Sequence, residues 1–165
     1  MPVVATPAAP SIVTEDMIRM WLRDYAVGHL SGGQGNLILD DVQFNRDELT
    51  FATRMAVSNF NAITPISNYL TDGSNFPNEY LLLLGTARFL MVSESFHQLR
   101  NQANAQDGDI APTGIYDKAQ AYLQLAGMLK GEWDQLTRQM KNQFNMEGAY
   151  GFLGSGYKNV GRGRI

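Results

Sequence analysis

The sequence predicts an all-α protein, a bundle of about four helices with a long C-terminal helix and an extended, glycine-rich C-terminal arm. Two observations predict this class: apolar residues recur at helical spacing in several segments, and helix-capping residues precede two of them. The 165 residues include no cysteine, so neither disulfides nor thiolate metal sites are expected. We expect a flexible N-terminal arm over 1–13, a helical-bundle body over 14–147 and a C-terminal docking arm over 148–165.

Capping signals place the starts of the first two helices. Thr14 is a suitable N-cap, and Glu15 and Asp16 follow in the first turn, where the helix dipole favours acidic side chains. Asn45, with Glu48 three residues later, has the pattern of a capping box. Both positions precede apolar residues at helical spacing, so we expect an amphipathic helix after each.

The third helix is predicted to be the centre of the bundle. Pro77 is suited to its first position, because the proline ring presets the helical φ angle. Tyr80–Val92 is the longest apolar stretch of the chain, but it is too short to cross a bilayer. Apolar residues on all sides indicate a helix that is buried on most of its surface.

The fourth helix has the clearest periodicity. Its apolar residues alternate intervals of four and three positions over about four heptads, on a helix roughly 40 Å long. This spacing favours a helix packed in its own bundle and does not by itself establish a coiled coil. We call these residues the seam: Ile115, Ala119, Tyr122, Ala126, Leu129, Trp133, Leu136 and Met140.

Motifs that carry chemistry are not evident in the sequence. The glycines of residues 32–35 are not followed by the Lys-Ser/Thr of a phosphate loop, and the acids of residues 107–109 do not continue as a calcium loop. His29 and His97 lie on different elements without a second histidine one turn away, which disfavours a zinc site. We therefore expect no catalytic activity, no cofactor and no metal.

The C-terminal arm is the most distinctive segment. Residues 148–165 hold six glycines, three aromatic residues and three basic residues, whereas all 16 acids of the chain lie before them. Glycine makes such a segment costly to order alone, yet its aromatic and basic residues are of the types that anchor interfaces. A disordered, solubilising end is the alternative. The candidate partner-binding residues are Tyr150, Phe152, Leu153, Tyr157, Lys158, Arg162 and Arg164.

The order of elements resembles the head-to-tail adaptor proteins of tailed bacteriophages, also called connector or head-completion proteins. A short opening helix (TEDMIRMWLRDY) is followed by an apolar and acidic stretch (NLILDDVQF) and a capped amphipathic helix (NRDELTFATRMAVSNFNAITP). A Phe-Pro turn then leads into a core helix (NFPNEYLLLLGTARFL), and a long helix with a glycine-rich basic end comes last. The resemblance covers residues 14–165 as an order of elements and contains no diagnostic short motif.

This resemblance implies a structural virion protein of the neck, assembled in the host cytoplasm. Such adaptors form homo-oligomeric rings, typically twelvefold, that bind the portal protein above and receive a tail or nozzle protein below. Their C-terminal arms reach along the portal. An acidic body suits a channel through which double-stranded DNA passes without specific binding, since phosphates are repelled. The candidates for packing between subunits are Tyr122, Leu129, Trp133, Leu136 and Met140.

A second class of function is left open by the same residues. A soluble helical regulatory protein could use the basic tail to bind nucleic acid, because Gly/Arg segments bind single strands while aromatic side chains stack on bases. The tail contributes only three cations to such binding. A DNA titration at moderate salt separates the two classes.

Overall fold

The computed structural model describes residues 11–25, 42–105 and 115–157, and within them the side chains of 11–25, 42–100 and 118–149. These parts of the chain contain helices and no strand, which confirms the all-α class. The helices are α1 (Glu15–Leu22), α2 (Arg46–Ala62), α3 (Glu79–Ala105) and α4 (Ile115–Tyr157).

The predicted caps of α1 and α2 are confirmed. Thr14 Oγ1 accepts a hydrogen bond from the Met17 backbone N–H at 3.3 Å. Asn45 Oδ1 accepts from the Glu48 backbone N–H at 2.9 Å, and the Asn45 backbone N–H donates to Glu48 Oε2 at 2.8 Å. Both halves of a capping box are therefore present, and two otherwise unpaired N–H groups are satisfied.

The start of α3 differs from the prediction by two residues. The helix begins at Glu79, and Asn78 caps it by accepting from the Leu81 backbone N–H at 2.8 Å. Pro77 therefore lies before the cap. An asparagine side chain can satisfy an exposed N–H of the first turn, which a proline ring cannot, so the cap position goes to Asn78.

Replacing Asn45 with alanine should lower the free energy of unfolding by about 1 kcal/mol, because the first turn of α2 loses its cap. Urea denaturation followed by circular dichroism measures this change. Asn142→Ala, at an exposed position inside α4, is the matched control and should leave stability unchanged or slightly raised. Equal midpoints for the two variants would contradict the role given to the capping box.

The core is centred on α3, as the apolar stretch predicted. Leu82 and Leu84 are fully buried, Leu81 and Leu90 are 1 % exposed, and both α2 and α4 pack along this helix. The short helix α1 packs against α2 and α3. α3 thus supplies the surface on which the other described helices assemble.

The closest approach between α3 and α4 occurs where Gly85 faces Trp133. A Cβ atom at Gly85 would lie 2.3 Å from Cζ3 of the Trp133 ring, so the indole occupies the space of the missing side chain. Trp133 is fully buried, its Nε1 donates to Asn59 Oδ1 at 3.1 Å, and its ring meets the Phe60 ring edge-on at 6.4 Å. One side chain of α4 therefore joins α2 and α3.

The end of α4 lies farther along the chain than predicted. The helix continues to Tyr157, so Gly148–Tyr157 is helical where an extended arm was predicted. Glycine lowers helix propensity by about 1 kcal/mol per residue but does not prevent a helix that is already propagating. The rest of the predicted arm, 158–165, lies outside the described residues.

Candidate functional site

The predicted docking residues of the arm divide into two groups. Tyr150, Phe152, Leu153 and Tyr157 lie on the helical backbone of α4, and their side chains are outside the described set. The three basic residues of the arm lie beyond the described chain. Their role at a partner surface therefore stays a prediction.

The seam residues predicted to pack between subunits pack within the chain. Tyr122, Leu129, Leu136 and Met140 are partly buried against the core, and Trp133 is completely buried in it. Trp133 therefore has no surface to offer a neighbouring subunit. An intramolecular bundle contact accounts for Trp133, whereas contact of the four partly buried residues with another subunit stays a prediction.

An apolar groove lies between the end of α1 and the first half of α4. Its cavity volume is about 440 Å³, within the range of ligand and side-chain pockets. Its exposed rim includes Trp21 at 39 % and Leu125 at 43 % exposure. We call it the α1–α4 groove; the lining residues are Trp21, Leu22, Asp24, Gln43, Phe44, Met91, Tyr122, Leu125 and Leu129.

Asp24 fixes the polar end of this groove. It is 3 % exposed; its Oδ1 accepts from the Gln43 backbone N–H at 2.6 Å, and its Oδ2 accepts from the Phe44 backbone N–H at 3.0 Å. Arg19 Nη1 also donates to Oδ2 at 3.0 Å. Gln43 Nε2 in turn donates to the Tyr122 hydroxyl at 3.1 Å. The residues leading into α2 are thereby tied to both α1 and α4, which preorganises the groove walls.

A second apolar surface projects from α2. Phe51 is 65 % exposed and Met55, one turn later, is 38 % exposed. Asp47, one turn before Phe51, is exposed as well. Asp47 and Phe51 lie on the side of α2 opposite the buried Ala52, Ala56 and Phe60, since α-helical residues advance about 100° each, and Met55 lies at the edge of that side. Exposed apolar residues grouped in this way are typical of protein-binding surfaces.

Lys141 is a buried cation on α4. It is 1 % exposed, and its Nζ donates to the Pro65 carbonyl at 2.8 Å and to Ser67 Oγ at 2.6 Å. The same atom lies 4.2 Å above the centroid of the Phe60 ring. Burial lowers the pKa of the Lys141 ammonium, because the charged form loses hydration. Because both hydrogen bonds of the Lys141 ammonium are made to the α2–α3 connection, Lys141 holds that connection against α4.

The described residues hold no group of three or more histidine, cysteine or acidic side chains suited to a metal ion. His97 lies beside Glu94 on α3, with Nδ1 to Oε1 at 3.7 Å, and His29 is outside the described chain. Among the same residues, no helix has an apolar stretch long enough to cross a membrane.

Sequence reasoning missed both apolar surfaces. The signals were present: Leu125 and Met128 stand beside the seam, and Phe51 interrupts the polar face of α2. Neither surface follows from the periodicity that locates the core.

Comparison of the chain with protein-family models, with curated proteins and with solved structures gave no match.

Proposed function

We propose that the chain is a subunit of a head-to-tail adaptor ring that joins the portal to the tail of a tailed bacteriophage. In this role the helical body forms the ring around the DNA channel. The C-terminal segment binds the portal, and a tail or nozzle protein attaches on the other side. The order of elements that resembles such adaptors supports the proposal.

The observation that carries the proposal is the course of α4. The helix packs against the core as far as Phe144 and continues to Tyr157. It therefore leads from a body with an excess of acids into a segment that has three bases and no acid. A rigid support that presents a cationic, aromatic terminus suits a subunit that must reach across to a different protein. Its arginines can pair with carboxylates and its aromatic rings can fill pockets.

A ring also requires each subunit to present two different, mutually complementary surfaces. The described part of the chain offers two separate apolar surfaces, the α1–α4 groove and the outward side of α2. Many weak contacts repeated around a ring offset the entropy lost when each terminal segment is ordered.

Deleting residues 148–165 should abolish binding to the portal ring of the same virus while the body stays folded, because Phe144 is the last core-packed residue of α4 among the side chains that the structure describes. Co-sedimentation and electron microscopy with portal rings measure binding, and circular dichroism measures folding. The triple variant Lys158→Gln, Arg162→Gln and Arg164→Gln tests charge alone, with Lys130→Gln on the body as its control. If the bases carry the contacts, binding by the native chain also weakens as salt rises.

Unchanged portal binding by the deletion variant would contradict the docking role of the arm. Binding of the native chain to single-stranded DNA is the accompanying measurement, since a nucleic-acid-binding regulator should lose affinity steeply between low and moderate salt. The adaptor proposal expects no tight DNA binding at moderate salt. Tight binding that requires the three basic residues would favour the regulator instead.

A further inference from the structure

We propose that the outward side of α2 in one copy of the chain docks into the α1–α4 groove of the next copy. This contact would be the joint between neighbouring subunits, and it rests on the proposed ring function. The occupant of the groove is thus a second copy, and its inserted side chains are Phe51 and Met55.

The groove side presents an apolar surface larger than isolated exposed residues would give. Trp21 and Leu125 form its rim, and Met128, 74 % exposed, lies one turn beyond Leu125 on α4. Tyr122 and Leu129 form its partly buried wall. Water in contact with such a surface is released when a partner covers it, which favours association.

The α2 side presents side chains of the types that suit the groove. Phe51 points away from the core of its own subunit, and Met55 follows it by one turn. An aromatic side chain followed by a flexible methionine is suited to filling a groove lined by aliphatic and aromatic residues. Asp47 precedes Phe51 by one turn, so this side of α2 presents an acidic, then an aromatic and then an aliphatic side chain at successive turns.

Charge gives the contact a direction. Exposed Lys118 lies one turn before Tyr122 on the groove side of α4. This side of α4 therefore presents a basic, then an aromatic and then an aliphatic side chain at successive turns. If α2 runs parallel to α4 of the neighbour, Asp47 meets Lys118 while Phe51 and Met55 meet the apolar wall. An antiparallel arrangement would separate the two charges by the length of the contact. Complementary charges of this kind favour one orientation over others.

The two surfaces lie on different elements, so the contact is heterologous. Each copy that inserts its α2 still has an open groove, and the next copy can bind there. A two-fold contact between parallel α2 helices would instead place Asp47 near Asp47, which repulsion disfavours. A closed ring is a natural result of such a head-to-tail contact.

The natural absence of cysteine makes a direct test possible. A Ser58→Cys, Glu132→Cys double variant is treated at high protein concentration with a short bis-maleimide. Both positions are exposed, and they lie two turns beyond Phe51 and Leu125 on the same sides of α2 and α4, so the contact residues themselves are kept. We expect covalent species beyond the dimer, because each copy carries both partners of the joint. The matched control, Ser58→Cys with Asn145→Cys, moves the second thiol to an exposed position about 140° farther around α4. It should give no such ladder.

A charge exchange provides a second measurement. Asp47→Lys and Lys118→Asp should each reduce the yield of the ladder several-fold, and combining them in one chain should restore it. Circular dichroism of every variant establishes that the body is folded. Restoration by the double exchange is not expected of changes that merely destabilise the fold.

Several results would overturn the proposed joint. These are the absence of a ladder, a ladder that ends at the dimer, an equal ladder from the Asn145→Cys control, and failure of the charge exchange to restore cross-linking. In single-cysteine variants, a Leu125→Cys thiol that does not react with a single maleimide, while the Asn145→Cys thiol does, would show a groove covered by the chain itself. Closed rings seen by electron microscopy without cross-linking would leave the adaptor function standing and reject this joint. Cross-linked open filaments that never close would support the joint and reject the ring.

Discussion

Replacing Gly85 with alanine is expected to lower the free energy of unfolding by about 1–3 kcal/mol, the usual cost of an overpacked core. The added Cβ would lie 2.3 Å from Cζ3, 2.7 Å from Cη2 and 2.8 Å from Cε3 of Trp133. These atoms belong to a rigid ring that is completely buried, so neither partner can move aside without separating α3 from α4. Chemical denaturation measures the loss as a lower midpoint.

The control for Gly85 is another glycine in a helix. Gly127 is exposed on α4, and a Cβ there would meet no atom within 4 Å, so Gly127→Ala should raise stability by up to about 1 kcal/mol. Combining Gly85→Ala with Trp133→Phe should cost less than the sum of the single changes, because the smaller ring leaves room for the Cβ. Similar effects at both glycines, or additive energies in the double variant, would contradict the proposed close contact.

Replacing Lys141 with alanine should lower the free energy of unfolding by about 3 kcal/mol. The change leaves the partly buried Pro65 carbonyl without its donor, and an unpaired buried polar group costs about 1–3 kcal/mol. It also removes one hydrogen bond from the Ser67 hydroxyl, which still donates to Asn61 Oδ1. The aliphatic part of the side chain is lost as well. Denaturation midpoints and hydrogen exchange in the α2–α3 connection measure the effect.

Two further variants separate the causes of this loss. Lys141→Met keeps most of the packing and removes the donor, so it should fall between the native chain and Lys141→Ala. Lys130→Ala removes an exposed lysine that pairs with Asp134 on the surface of α4, and should cost at most about 1 kcal/mol. An equal loss in the free energy of unfolding for Lys141→Ala and Lys130→Ala would show that the hydrogen bonds of Lys141 add no stability beyond that of an exposed ion pair.

The same lysine gives a pH dependence of known sign. Its pKa is lowered by burial from the ordinary value of 10.5, so between the folded pKa and 10.5 the unfolded chain binds more protons than the folded one. The contribution of Lys141 to the free energy of unfolding therefore rises with pH in this alkaline window and is constant below it. The difference between the native chain and Lys141→Met, measured against pH, isolates this contribution.

The parts of the fold that could be predicted from sequence are those set by local rules. The caps at Thr14 and Asn45 follow from side chains that reach a backbone group three residues away. The buried stretch of α3 and the seam of α4 follow from the spacing of apolar residues along a single helix. Such patterns show which side of a helix is buried without showing against what.

The remaining features depend on residues far apart in the chain. Lys141 is a charged residue adjoining the seam, and only the tertiary structure brings the carbonyl of Pro65 to its ammonium group. The groove combines the end of α1 with the first half of α4, so neither segment alone indicates it. Trp133 was a candidate for contacts between subunits because a seam has the same spacing whether its partner is another chain or, as here, α3.

The unbroken course of α4 past the core has a geometric consequence for whatever follows it. Beyond Phe144 the helix continues to Tyr157, roughly 20 Å farther along its axis. Each added residue advances the end of the helix by about 1.5 Å and rotates it by about 100°. The direction in which the terminal segment points therefore depends on the number of residues before it. Inserting one residue in α4 would rotate the terminal segment by about 100° around the helix axis. Inserting seven residues would return it to within about 20° of its original direction and place it about 10 Å farther from the body.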